Sequence, residues 1–595
     1  MYPIKENMRR TFILLILLQV VLNSFSIPAK RTWMVVKQSD GSVLTLMNCG
    51  DEHHHYFVTS DGFTVLQNND DNNYYYANKL GFSETVSSLL AHDPENRSEA
   101  EDNFLSVLRN LESSAASAKP IYRKSSSTQT EIEPRYSFTG IKKGLIILTQ
   151  FYDVKFSEAN PRLTFDSIAN YKGYNKGNFV GSVNDYFYAQ SSGQFDINFD
   201  VVGPVTLSKI EAYYGKNDIE GYDTRPGQMV AEACLAVDDT VDFKKYDWDG
   251  DGMVDQVYIL YAGYGENENA PSTTIWPHEW TLGGSDYGKK LFLDGDSVNT
   301  YACSNELSGD GSSIRKNISG IGTMCHEFSH CLGLPDMYDT ANDSVYGMYE
   351  WDILSKGSYN KDGFQPAGYT SYEKWWCGWL EPTELVNNQR ADNMAPLSDG
   401  GQSYVIYNDN HKNEYYLLEN RQFVNWDASL PGAGLLVTHI DYSEEAWGMN
   451  SVNVDGTHPR VSVIPADNSL ITTYSSARHD VYPYGTNDSL TTTSKPATYI
   501  YNANADGSYF MKKAITNITQ NNDGTVSFIF RNDLIPTSIN EVQSLADFLN
   551  NPVTIYDTNG HVVCLTDHFT GKENLSPGIY IVKDKKGKSH KFIYK

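Results

Sequence analysis

Ile321-Gly-Thr-Met-Cys-His-Glu-Phe-Ser-His-Cys-Leu-Gly-Leu-Pro-Asp336 is the stretch from which the rest of the chain is read. His326 and His330 are four residues apart, so on a helix both imidazoles leave one face. Two neutral imidazoles at that spacing can share one Zn²⁺ ion. Glu327 lies beside the first, where it can take a proton from metal-activated water instead of binding the metal. Gly333 permits the left-handed turn that ends a helix, and Pro335 prevents its resumption. The chain then doubles back so that Asp336 can be a third ligand, leaving the open fourth position a catalytic zinc requires. A random His-Glu-x-x-His is expected in only about 0.02 chains of this length and composition, so a buried helix with coincidental histidines is the weaker reading. The parts suit hydrolysis of a peptide bond with Glu327 as general base and no covalent intermediate.

Around that motif, residues 138–384 read as one catalytic domain of α+β class. Gly144–Thr149 and Gln256–Ala262 are buried strands by their unbroken apolar runs, and Val183–Ser191 is helical. Asp247-Trp-Asp-Gly-Asp-Gly-Met-Val-Asp255 is a second metal signal. Asp247, Asp249, Asp251 and Asp255 alternate around Gly252, and the Met253 carbonyl can join them, a pattern that suits Ca²⁺. It is not an EF-hand, because Tyr258 stands where the bidentate Glu belongs. Such an ion would brace the following strand and do no chemistry. His278 and Tyr359 are weaker candidates to assist an oxyanion.

Upstream, Lys5, Arg9 and Arg10 precede an apolar run from Phe12 to Leu22, followed by Ser24-Phe25-Ser26. This reads as a signal peptide over 1–26, too short in its apolar part to span a bilayer. Residues 27–111 hold short strands and a helical pattern near Ser98–Leu111, and 112–137 has the Ser-, Ala- and Thr-rich texture of an exposed linker. A folded module and a cuttable linker ahead of an enzyme is the layout of a zymogen. Downstream, 385–535 reads as a β-sandwich region and 536–595 as a small β-sandwich, both from short strands split by turn residues. No other apolar run approaches the length needed to cross a membrane. The net charge of −27 over 595 residues repels phosphate backbones and argues against nucleic acid. Seven cysteines do not make a disulfide scaffold, though one or two bridges stay open.

The extended motif with Gly333 and Asp336 resembles the immune inhibitor A-type family of secreted bacterial metallopeptidases, which are metzincin-like. The resemblance takes in Ser182–Phe195, Val202–Leu207, Ile275–His278, Glu306 and Trp351-Asp352. It continues downstream in Tyr416–Arg421, Leu430–Leu436 and His439–Asp441, so that it covers about residues 30–531. It implies a mixed sheet with a zinc-binding active-site helix, catalytic Zn²⁺ on His326, His330 and Asp336, structural Ca²⁺, and protein or peptide substrates. One position departs. Leu354 stands where such enzymes carry a Met beneath the zinc. Val553–Val563 with Leu575–Val582 and the terminal Lys-Phe-Ile-Tyr-Lys resembles a type IX secretion sorting domain. That implies secretion machinery as a partner, and a secreted or outer-membrane-surface location in a Gram-negative, Bacteroidetes-like bacterium. The alternatives are an inactive relative serving as a surface glycan- or protein-binding module, and a zinc hydrolase of non-protein amides or esters.

Overall fold

Consecutive apolar residues along single strands serve two different cores, and this organises the central sheet. In the computed structural model its path consists of β1 (Phe25–Ser26), β2 (Gly140–Gln150), β3 (Phe195–Thr206), β4 (Val257–Tyr264), β5 (His278–Thr281) and β6 (Thr300–Ser308). The spatial order is β1-β5-β6-β4-β2-β3, and Asn317–Ile318 pairs with the end of β6. β6, β4, β2 and β3 are parallel neighbours, β5 is antiparallel to β6, and β1 is antiparallel to β5. On β2, Ile146 and Leu148 enter one core, while Leu145 and Ile147 enter the other. A parallel sheet covered on both faces demands such runs. The first core takes α1 (Val183–Gln190) and the second α2 (Pro226–Val237). The first also takes α3 (Gly322–His330), which carries the His-Glu-x-x-His motif. A capping box between Ser182 and Asp185 starts α1.

The structure describes residues 25–594 except 53–54, 69–70, 81–82, 117–132, 219–220, 342–346, 471–473, 533–547, 549–550, 569, 571–572 and 586–588. The signal peptide expected over 1–26 therefore lies, but for its last two residues, outside the described residues. The upstream module is a six-stranded antiparallel meander from Trp33–Lys37 to Ser83–Leu90, followed by the helix Glu99–Ala116, which runs past the expected start of the linker. Leu105 of that helix packs on Leu44, Leu46, Val65 and Tyr76 of the meander. The far end of the expected linker is bound to the protein. Tyr136 N–H donates to the Trp376 carbonyl, Phe138 N–H to that of Cys377, and the Arg135 guanidinium lies 3.8 Å over the Trp375 ring.

Beyond Thr383 a five-stranded sheet and a three-stranded sheet share one core, with Ile406, Tyr416, Leu418, Leu435 and Val437 against Ile515, Phe528 and Phe530. The five-stranded sheet contains β7 (His411–Arg421) and β8 (Gly434–Asp441) and has a second apolar face. Val405, Tyr415, Leu417, Leu436 and Ile440 belong to the same core as α3. The domain boundary expected at 384/385 thus runs through a single hydrophobic core. The last segment is one four-stranded antiparallel sheet among the described residues, ordered Val562–Thr566, Val553–Tyr556, Gly578–Asp584, Ser589–Tyr594. Among the described residues no second layer of the expected small sandwich is present: Val553, Ile555 and Val582 are buried with Phe548, while Val562 and Leu565 stay exposed. None of Cys234, Cys303, Cys325, Cys331, Cys377 and Cys564 is in a disulfide, so the open bridges are unused. Among the described residues no helix is long and apolar enough to cross a membrane.

Candidate metal centre and active-site cleft

Every residue of α3 is buried, and the helix begins where only glycine fits. A Cβ on Gly322 would lie 1.8 Å from the Ser358 carbonyl oxygen. A Cβ on Gly333 would make only ordinary contacts, 3.6 Å and more from Trp376 and Tyr136, but its φ of +80° makes glycine the residue for the left-handed exit from the helix. That exit returns the Leu334 carbonyl to His330 Nδ1, 2.7 Å away. His326 Nδ1 is 2.7 Å from the Ile353 carbonyl. A carbonyl has no proton to give, so both Nδ1 atoms are donors, and in the neutral rings both Nε2 atoms carry lone pairs. Those Nε2 atoms lie 3.1 Å apart, and Asp336 Oδ1 is 3.2 and 3.5 Å from them. Asp336 Oδ1 is buried with no hydrogen-bond donor. Three lone-pair atoms converging without a proton between them are what a cation would satisfy. Donors about 2.0–2.1 Å from one tetrahedral Zn²⁺ lie about 3.3 Å apart. The residues present therefore fit zinc.

Glu327 is fully buried beside this triad, with Oε2 unpartnered. Burial first, then the Asp336 and Glu52 carboxylates, push its pKa well above the ordinary carboxylate range. Burial lowers the pKa of His326.

The cleft in front of these groups contains the chain's own residues 25–30. Phe25 and Ser26 form the sheet's edge and pair with Glu279 and His278 on β5. Ile27 N–H donates to Glu327 Oε1 at 3.0 Å, and Ser26 N–H reaches Asp336 Oδ2 at 3.4 Å. The carbonyls are bound as well: Ser26 by Tyr338 Oη at 2.5 Å, Ile27 by Trp276 Nε1 at 3.0 Å, and Pro28 by Tyr359 Oη at 2.7 Å. The Phe25 ring stacks on His330 with centroids 4.9 Å apart, and Lys30 Nζ is 3.1 Å from Glu268. Tyr359, singled out in the sequence, thus faces the cleft. His278 is committed elsewhere, with Nδ1 on the Trp276 carbonyl and Nε2 on Tyr301 Oη.

Residues 148–379 match the model of the immune inhibitor A peptidase M6 catalytic domain. This segment is a peptidase M6 domain. An immune inhibitor A from Bacillus thuringiensis subsp. alesti is 25% identical over 254 residues, which cover 36% of this chain and 36% of that protein. A pre-pro-metalloprotease PrtV from Vibrio cholerae serotype O1 is 29% identical over 227 residues, covering 34% of this chain and 24% of the relative. The alignments thus span only about a quarter to about a third of the relatives' own lengths.

Within the M6 domain the second predicted cluster is partly assembled. Ligand atoms of Asp247, Asp249 and Asp251 lie within 4.8 Å of one another. Asp255 turns one oxygen to the Trp248 N–H. Burial raises its pKa to about 6, and the charges of Asp249, Asp247 and Asp251 add to the rise. Met253 begins a two-residue strand paired in parallel with Asp296–Val298, so the loop is tied to the sheet layer beside β4.

The floor under His326 is Ile353-Leu354, both fully buried, with Leu354 filling the position where Met was expected. It is held from outside the matched segment. Arg421, at the end of β7 and wholly buried, donates Nη1 to the Trp351 carbonyl and Nη2 to that of Gly368. It also grips Asp427 at 2.8 and 2.9 Å and Glu419 at 2.9 Å. Arg421→Met leaves those carboxylates buried and unpaired, so unfolding free energy by denaturant titration is expected to fall by about 3–5 kcal/mol. A loss under about 1 kcal/mol would show that the network is not holding the floor. Asn450 was not predicted at all: no local pattern marks it, and it meets Asp336 only through the tertiary fold.

Proposed function

We propose that this chain is a secreted zinc-dependent endopeptidase made as a zymogen. His326, His330 and Asp336 would hold the metal. Zinc bound there supplies Lewis acidity, acidifying water and polarising the substrate carbonyl. Glu327 takes the proton of the attacking water and returns it to the leaving amine. Strand β5 aligns the substrate main chain by antiparallel pairing, and Tyr338, Trp276 and Tyr359 orient its carbonyls. The observation that carries this reading is residues 25–30, an extended polypeptide lying across Glu327 and Asp336. A cleft whose polar groups match a peptide main chain favours protein substrates over non-protein amides. A complete triad of lone-pair donors favours an active enzyme over a binding module. The same segment supports latency. Signal removal near Ser26 would leave the first residues of the exported chain across the reactive groups, anchored by the upstream meander.

Asp247, Asp249 and Asp251 would bind structural Ca²⁺ together with Asp255 and the Met253 carbonyl. Calcium at 100 times its Kd stabilises by about 2.7 kcal/mol. The melting temperature of the parent is therefore expected to rise with calcium, and that of a D249A/D251A variant to ignore it. An equal calcium response in the variant would remove the site. The C-terminal sheet would address the chain to a type IX-like secretion route.

The deciding experiment measures zinc content and casein cleavage of chain beginning at Ile27, before and after a light protease nick within 117–132. One zinc per chain with cleavage after nicking supports the reading. Zinc without turnover in either form points to another substrate class, and no zinc points to the binding module.

A further inference from the structure

The side chain that addresses the third metal-binding position belongs to neither the motif nor the matched domain. Asn450 follows the short helix α4 (Glu444–Gly448), whose Trp447 is packed in the core of α3 with its indole N–H on Tyr372 Oη. Asn450 is 4% exposed. Its Oδ1 accepts the Asp336 N–H at 2.8 Å, and its Nδ2 donates to Asp336 Oδ2 at 2.7 Å. Its carbonyl accepts Thr340 Oγ1 at 2.9 Å. One amide therefore clamps both the main chain and the carboxylate of Asp336. Because Nδ2 engages Oδ2, Oδ1 is the oxygen turned towards His326 Nε2 and His330 Nε2. His326 and His330 each have a carbonyl on the far nitrogen, and Asn450 is the corresponding partner of the carboxylate.

We infer that Asn450 is a positioning residue that fixes the orientation of Asp336 and completes the metal centre from the downstream β unit. The inference rests on the zinc-peptidase reading. A primary amide suits the task because it presents an acceptor and a donor side by side. Its backbone φ of +47° lies in the left-handed region, which Asn tolerates better than most residues. Two substitutions separate the amide from the backbone. Asn450→Asp keeps the shape but replaces the donor with a negative oxygen facing Asp336. Asn450→Gly removes the side chain and suits the left-handed φ.

In the full chain, zinc affinity is measured by competition with a chromogenic chelator, alongside the metal-free melting temperature and the visible spectrum of the cobalt-loaded protein. Both variants are expected to bind zinc about 10–100-fold more weakly with shifted cobalt bands, and Asn450→Gly, which adds no charge beside Asp336, to melt without metal near the parent. Parent-like zinc affinity in both variants overturns the inference. So does weaker binding matched by a lower metal-free melting temperature with an unshifted cobalt spectrum, which marks a purely structural residue. A parent chain that takes up no zinc overturns the zinc-peptidase reading itself.

Discussion

Glu327→Ala is expected to lower casein cleavage by the nicked chain about 10²–10⁴-fold while leaving its zinc content unchanged. The two readouts part company because of geometry. The convergent lone pairs belong to His326, His330 and Asp336, and removing Glu327 subtracts none of them. What is lost is a buried carboxylate whose Oε1 lies 3.0 Å from the peptide nitrogen of Ile27, where a substrate's main chain would lie. Burial and the neighbouring Asp336 and Glu52 raise its pKa, which brings its basicity closer to that needed for proton transfer near neutral pH. His326→Ala, by contrast, should lose zinc and activity together. If Glu327→Ala kept more than about a tenth of the parent rate, another group would have to be the base.

The second large effect is latency. The intact chain is expected to cleave casein at least about 10²-fold more slowly than the chain nicked within 117–132. The estimate comes from the bonds that must break before a substrate can enter. In a chain beginning at Ile27, Ile27 N–H to Glu327 and the carbonyls of Ile27 and Pro28 to Trp276 and Tyr359 are three hydrogen bonds to the cleft. At about 1 kcal/mol net each, losing all three is already worth more than about 10²-fold in occupancy. Lys30 on Glu268 adds to the hold. Equal rates before and after nicking, with the nick verified, would mean that residues 27–30 leave the cleft unaided and that the chain is not a zymogen.

The downstream β unit supports the same site. Its sheet shares the core of α3, Arg421 holds the carbonyl of Trp351, and Asn450 holds Asp336. Reading the chain as strings of domains hid this. Short strands separated by turn residues reveal an all-β segment, but they do not reveal that one of its sheets has a second buried face. The C-terminal sheet errs in the opposite direction. Its alternating pattern suggested two layers, whereas Val562 and Leu565 point to solvent among the described residues.

What the sequence determined by itself is local. The four-residue spacing of His326 and His330, the glycine at 333 and the aspartate at 336 need only helix periodicity and one left-handed turn to bring three donor groups together. The runs Leu145–Leu148 and Val257–Tyr261 likewise announce a sheet buried on both faces. What only the tertiary structure decided is which distant groups meet these. Asn450 lies 114 residues from Asp336, Ile27 lies 300 from Glu327, and Arg421 lies 70 from Trp351. No periodicity links such positions, because their meeting depends on strand order and on the packing of a shared core. The local motif is enough to suggest the chemistry, and the fold supplies the clamp on Asp336 and the peptide lying across Glu327.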